Sequence, residues 1–312
     1  MGNYRITNGQ NLYDVAMHIY GSIEGITDLL ICNPKLSMAS DLKSGDELIY
    51  TDDLIIDADT VAYLRRNNIV PANGERHVYF KEAQSIQVME VRAASGYTSA
   101  EFSASGTGFV EVDWGDNTPL EKIELVDDLT TYHHSFDNTI STLRKIRFYG
   151  DFRLRQLDIT ALHPSSVFVL SPIYIGELSI CGSSASLDFL PMLRETYRID
   201  LSDMKVRDLS PLVECRDLRW LDLSRIDTLQ ETLDNYLIAL VREHYGRRSC
   251  AVTLTETPSG EYAEPSRDED LNYKINTGME ALWLLVNEPA WNEGGLWSFD
   301  INGSIFINEQ DY

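Results

Sequence analysis

The sequence predicts a multidomain α+β chain: a small βααβ module, then a β-sandwich, then a repeat solenoid. Three observations predict it. First, a triplet of two apolar residues flanking one other residue recurs as Leu157-Asp158-Ile159, Leu178-Ser179-Ile180, Ile199-Asp200-Leu201, Leu221-Asp222-Leu223 and Val252-Thr253-Leu254, at intervals of 21, 21, 22 and 31 residues. Each triplet puts its two outer residues on one face of a short strand. No single repeat can bury that face, so the segment must fold as a stacked array. Second, apolar residues between 77 and 150 recur with period two, the mark of half-buried strands. Third, residues 4 to 51 read strand, helix, helix, strand. The segments are 1–52, a helical connector at 53–76, 77–150 and 151–312.

Tyr4-Arg5-Ile6 is a short alternating strand. Thr7-Asn8-Gly9 is turn chemistry, and Asn11 is placed to cap the next helix. Leu12, Val15, Ala16 and Ile19 form its apolar stripe, which Tyr20-Gly21 ends. A second helix, with Ile26, Leu29 and Leu30 inward, runs to Cys32, where Asn33-Pro34 stops it. Leu42, Gly45, Leu48 and Tyr50 make the closing strand. Tyr4-Arg5-Ile6, Gly9-Gln10-Asn11-Leu12, Tyr13-Asp14-Val15-Ala16, Tyr20-Gly21, Asn33-Pro34 and Gly45-Asp46-Glu47-Leu48 together resemble a LysM domain. The resemblance implies a groove for N-acetylglucosamine glycans such as peptidoglycan, between the loops Gly9–Leu12 and Asn33–Leu36. Its candidate residues are Gly9, Gln10, Asn11, Asn33 and Pro34. Gln10-Asn11 stands where the family has Asp-Thr, and Ile49-Tyr50 where it ends in Ile-Pro. The use expected here is protein docking, through an exposed rim at Tyr13, Tyr20 and Tyr50, with glycan binding as the alternative.

In the connector, Thr60, Val61 and Leu64 suggest a short helix, which Val70-Pro71-Ala72-Asn73-Gly74 breaks. His77–Phe80, Ile86–Val91, Ala100–Phe102, Phe109–Asp113 and Leu143–Phe148 are strand candidates. The run Asp113-Trp114-Gly115-Asp116, then Tyr132-His133-His134 and Phe136, then a strand ending at Gly150, resembles a PKD-type sandwich. That resemblance implies that Trp114 fills the core. Glu111, Asp113 and Asp116 read as a hydrogen-bonded turn rather than a calcium cluster. His133 and His134 must point to opposite faces of a strand, so they do not chelate one ion together.

The repeats have return halves with Pro191 and Pro211, 20 residues apart, which suits short 3₁₀ turns. Leu229, Leu233, Tyr236, Leu237, Leu240 and Val241 have helical spacing, so a true helix over 228–245 replaces the longer return. A second helix is expected near Thr277–Val286 and a last strand at Ser298–Ile301. The period is that of leucine-rich repeats. With Pro258-Ser259 and Gly295-Leu296-Trp297, the segment resembles the Bacteroidetes-type form of that family.

The 26 Lys and Arg against 49 Asp and Glu give a formal charge of −23, which argues against binding nucleic-acid phosphates. Cys32, Cys181, Cys215 and Cys250 have no metal-like spacing and read as reduced. No apolar signal segment opens the chain, and no run is long enough for membrane insertion. There is no nucleophile elbow, phosphate loop, zinc helix or dinucleotide glycine motif. The expectation is therefore a non-enzymatic structural protein with no catalytic residues, cofactor or metal ligands. It would be a phage-tail or baseplate-type particle component, in a virion or a cytoplasmically assembled particle, with protein partners. The alternative is a peptidoglycan-anchored cell-surface adhesion protein of a Bacteroidetes bacterium.

Overall fold

The computed structural model describes residues 1–7, 9–40, 42–72, 81–137, 142–243, 249–291 and 297–308. The chain is a mixed α+β protein in two compact units, Met1–Phe80 and Lys81–Tyr312. The expected strand at 77–80, Gly74, Tyr245 and Gly295-Leu296 lie outside the described residues.

In the first unit, β1 (Gly2–Arg5) pairs antiparallel with β2 (Glu47–Tyr50), with Asn3 opposite Ile49. Helices α1 (Leu12–Tyr20) and α2 (Ile26–Cys32) lie between them in sequence. Asn11 caps α1 as expected. Its side chain accepts from the Asp14 N–H, and Asp14 answers on the Asn11 N–H, a reciprocal capping box. Gly21 ends the helix at φ 74°, and a Cβ there would meet the Asp57 carbonyl oxygen at 2.2 Å, so only glycine fits. Ile6, Leu12, Val15, Ala16, Ile19, Tyr20, Ile26, Leu29 and Leu48 form the core. The connector helix α3 (Ala58–Arg66) belongs to this unit: it buries Val61 and Leu64, and the Ile56 and Asp57 N–H groups donate to the Tyr20 carbonyl.

The second unit has two sheets. The five-stranded one runs β10-β3-β8-β5-β6, from β3 (Gln87–Ala93), β5 (Phe109–Asp113), β6 (Glu121–Glu124), β8 (Arg144–Tyr149) and β10 (Pro164–Val169), all antiparallel. The ten-stranded one opens antiparallel at β7 (Thr130–Ser135) and β4 (Ser99–Thr107), then β9 (Arg153–Asp158). From β9 it continues parallel through β11 (Ile173–Ser179), β13 (Arg198–Asp200), β14 (Trp220–Leu223), β15 (Ala251–Leu254) and β16 (Ser298–Ile301). The short β12 (Leu193–Arg194) lies beside part of β11, and β17 (Ser304–Phe306) closes the far end antiparallel. The triplets stand in register, with Leu178 opposite both Leu157 and Ile199, and Leu221 opposite Ile199 and Val252.

The returns after β11 and β13 are 3₁₀ turns at Leu190–Met192 and Ser210–Glu214, each with its proline. Helices α4 (Gln230–Arg242) and α5 (Gly278–Asn287) pack on each other, and their buried residues join the same apolar core as those of β14, β15 and β16. Four strands had no clear trace in the sequence: the short β12, β17, which follows the strand expected to be the last, and β6 and β10. β6 carries three charges in four residues and buries only Ile123. β10 begins with a proline, yet it pairs with β3. Through β9 and β10 the ladder and the sandwich share both sheets and one apolar core across position 150.

Candidate docking surfaces

The N-terminal loops spend their amides internally. Gly9 takes φ 81° to turn the chain. Gln10 is buried: its Oε1 accepts from the Thr7 N–H at 2.9 Å, and its Nε2 donates to Tyr4 Oη at 2.8 Å and the Pro71 carbonyl at 2.9 Å. The Asn11 side chain is held in the capping box. Asn33 Nδ2 donates to the Leu29 and Ile49 carbonyls, both at 2.8 Å, while its Oδ1 accepts from the Ile49 N–H at 3.0 Å. Asn33 thus closes the free side of β2 as a neighbouring strand would. Pro34 is exposed. No hydrogen bond joins the two loops among the described residues. The expected tyrosine rim needs correcting. Tyr13 is exposed and Tyr50 half-buried, but Tyr20 is fully buried, its hydroxyl donating to Asp28 Oδ2 at 2.6 Å. Its ring lies over Gly25, where a Cβ would meet it at 2.0 Å.

In the sandwich, Trp114 is fully buried. Its indole N–H donates to Glu121 at 2.6 Å, and its ring stacks on His134 at 4.8 Å and 6°. His134 is half-buried and His133 exposed, as strand alternation requires. The acidic trio is buried and occupied. Glu111 accepts from the Gln84 N–H at 2.9 Å and the Ser85 N–H at 3.3 Å. Asp113 pairs with Lys81 and with Arg147, which also reaches Glu90. Asp116 accepts from Thr118, His134 and the Asp137 N–H. Burial alone would raise the Asp116 carboxyl, but these hydrogen bonds outweigh it and hold the group below the ordinary aspartate value. Among the described residues, no set of three or more His, Cys, Asp or Glu is placed to hold a metal ion, and the four cysteines are free.

The solvent face of the parallel ladder is divided along the strand direction. Near the C-terminal strand ends, Asp158, Ser179, Asp200, Asp222, Thr253 and Asp300 stand in one row. Asp158, Asp200 and Asp222 each accept from the N–H two residues on, at 2.9, 3.0 and 2.8 Å. These aspartates therefore terminate strands as Asx turns.

The N-terminal strand ends carry arginines and aromatics instead. The Arg198 guanidinium lies 3.8 Å over the Trp220 ring, and that of Arg153 lies 4.1 Å over Tyr174. Arg153 also grips Glu195 with two hydrogen bonds, at 2.8 and 2.9 Å. Tyr197 donates to Glu177 at 2.7 Å, which holds its phenol above the ordinary tyrosine range. The Tyr197 ring lies across Gly176, where a Cβ would meet it at 2.9 Å. Arg155 and Arg219 form no ion pair among the described residues. Glu195, Tyr197, Asp217 and Arg219 line an open hollow of about 550 Å³. This row was not foreseen from the sequence. Its trace was arginines and aromatics shortly before three of the five triplets, Arg153-Leu154-Arg155, Tyr197-Arg198 and Arg219-Trp220.

Fold and surface define a mixed α+β protein that exposes one face of a parallel ladder. Among the described residues, no single helix is long and apolar enough to cross a membrane. No protein-family model, curated protein or solved structure matches the chain.

Proposed function

We propose that this chain is a non-enzymatic docking protein, a component of a phage-tail or contractile particle of the baseplate kind. We read its three parts as a LysM-like module, a PKD-like sandwich and a leucine-rich-repeat solenoid. The parallel register at intervals of 21 and 22 residues supports the last reading.

The observation that carries the proposal is the arginine–aromatic row. Tyr, Trp and Arg are the residues that dominate binding energy at protein interfaces, since they combine rigid area with polar ends. Here they are gathered on one strip of a chain with charge −23. The LysM-like module serves docking rather than glycan recognition, because Gln10, Asn11 and Asn33 already have internal partners for their amides. The test is incorporation into purified particles. The parent chain should co-purify with them, and Arg155→Glu/Arg219→Glu should reduce incorporation with an unchanged melting temperature. Full incorporation of that variant would remove the row from the proposal. Saturable retention of the parent on purified peptidoglycan would favour the wall-anchored adhesion protein instead.

A further inference from the structure

The outer edges of the two sheets in the second unit are β10 and β6 on one sheet, β17 and β7 on the other. Three of them carry the usual devices against edge pairing. β6 has Glu121, Lys122 and Glu124; β10 starts with Pro164; β17 is three residues long. β7 has none. Thr130-Thr131-Tyr132-His133-His134-Ser135 contains no Lys, Arg, Asp, Glu, Pro or Gly. The Phe136 N–H donates to the Thr98 carbonyl, so the even-numbered residues of β7 turn their backbone groups toward β4. The N–H and C=O groups of Thr131, His133 and Ser135 point the other way, and no described residue bonds to them. All three residues are exposed.

We propose that this edge pairs with β7 of a second copy of the chain, antiparallel about a two-fold axis at His133. The strand is self-complementary in that register. Thr131 faces the partner's Ser135, His133 faces its own equivalent, and Tyr132 faces the partner's His134 on the opposite side of the sheet. No like charges meet along the six residues, although each copy carries −23 overall.

The full chain is examined by sedimentation at about 100 μM, a concentration suited to a small interface. The parent should have twice the 35.4 kDa mass of one chain. Its dimer fraction should rise between about 0.05 and 0.5 M salt, because screening relieves the repulsion of the two copies. Thr131→Lys/Ser135→Lys and Thr131→Glu/Ser135→Glu should each be monomeric, and an equimolar mixture of the two should form a heterodimer. Hydrogen exchange of the parent should show the Thr131, His133 and Ser135 amides gaining protection with concentration, which reads the contact without any substitution. A monomeric parent, variants that dimerise like the parent, a mixture that stays monomeric, or amides indifferent to concentration would overturn the proposal.

Discussion

The sandwich and the ladder share one apolar core but hold their ends of it differently. At the sandwich end, Glu111, Asp113, Asp116 and Arg144 are all buried and tied into turns and ion pairs. In the ladder, no charged residue after position 150 is buried among the described residues. The difference follows from how each part closes. A ladder repeat hands the same edge to its successor, so repeating apolar triplets is enough to set register. A sandwich closes with unlike strands, and its paired charges discriminate between turns because each is costly to bury without its own partner.

Shared core and separate fastening lead to the largest expected effects. Trp114→Ala should lose about 3–5 kcal/mol and Leu221→Ala about 2–5 kcal/mol, since both side chains are fully buried. Because one core runs through both parts, each substitution should lower the same calorimetric transition of the second unit. Two resolved transitions, each moved by only one substitution, would break the idea of a common core.

That contrast also explains what could be read in advance. The ladder strands, the prolines of the 3₁₀ turns, both late helices and the capping by Asn11 follow from local pattern, and local pattern is what sequence carries. The βααβ order at the N-terminus was legible for the same reason. The burial of Tyr20 was not, because it depends on Gly25 leaving room for the ring and on Asp28 taking the hydroxyl proton. β10 was hidden because its pairing with β3, about 75 residues earlier in the chain, gives no local period. The arginine–aromatic row lay in plain view, but it shows only when parallel register stacks residues some 21 positions apart.

A middle-sized effect separates the two fastenings by pH. The folded Asp116 carboxyl sits below its ordinary value, and Glu90, bridged by Arg92 and Arg147, is also lowered against its own burial. The unfolded chain therefore binds protons first as pH falls. This contribution is fully present above the ordinary carboxylate range and is lost as pH drops through the folded values. Asp116→Asn should lower stability at pH 7 by about 1–3 kcal/mol, the cost of weakening a buried acceptor. The parent and variant curves should begin to converge below about pH 4 and meet only once the pH has passed the lowered folded value of Asp116, where both side chains are uncharged. Parallel curves down to pH 3 would mean that Asp116 contributes no proton linkage.

Asp222→Ala probes the ladder's counterpart, a half-buried carboxylate whose one described hydrogen bond is to the Ser224 N–H. One neutral-donor bond of this kind is worth about 0.5–1.5 kcal/mol. Removing the charge beside Asp200 in the adjacent strand offsets part of that loss. The expected change is a destabilisation of about 1 kcal/mol or less, smaller than for Asp116→Asn, measured by urea unfolding at pH 7. An equal or larger loss would show that the acidic row fastens the ladder as firmly as the buried turn fastens the sandwich.

The smallest stability effect belongs to the arginine row. Arg198 covers Trp220 from the solvent side, and its side chain is 48% exposed. A cation over an aromatic ring at an exposed site contributes about 0.5–1 kcal/mol. Its ion pair with Glu177 is long, at 4.0 Å, and open to water, so it adds little. Arg198→Ala should therefore move the melting temperature only slightly, while Trp220 becomes more accessible to acrylamide quenching, read as a difference from the parent because the other tryptophans contribute equally to both. A large drop in stability would assign the row to the fold. A small one leaves these side chains free of structural duty, and that is the condition for a surface whose arginines and rings are held ready for a partner.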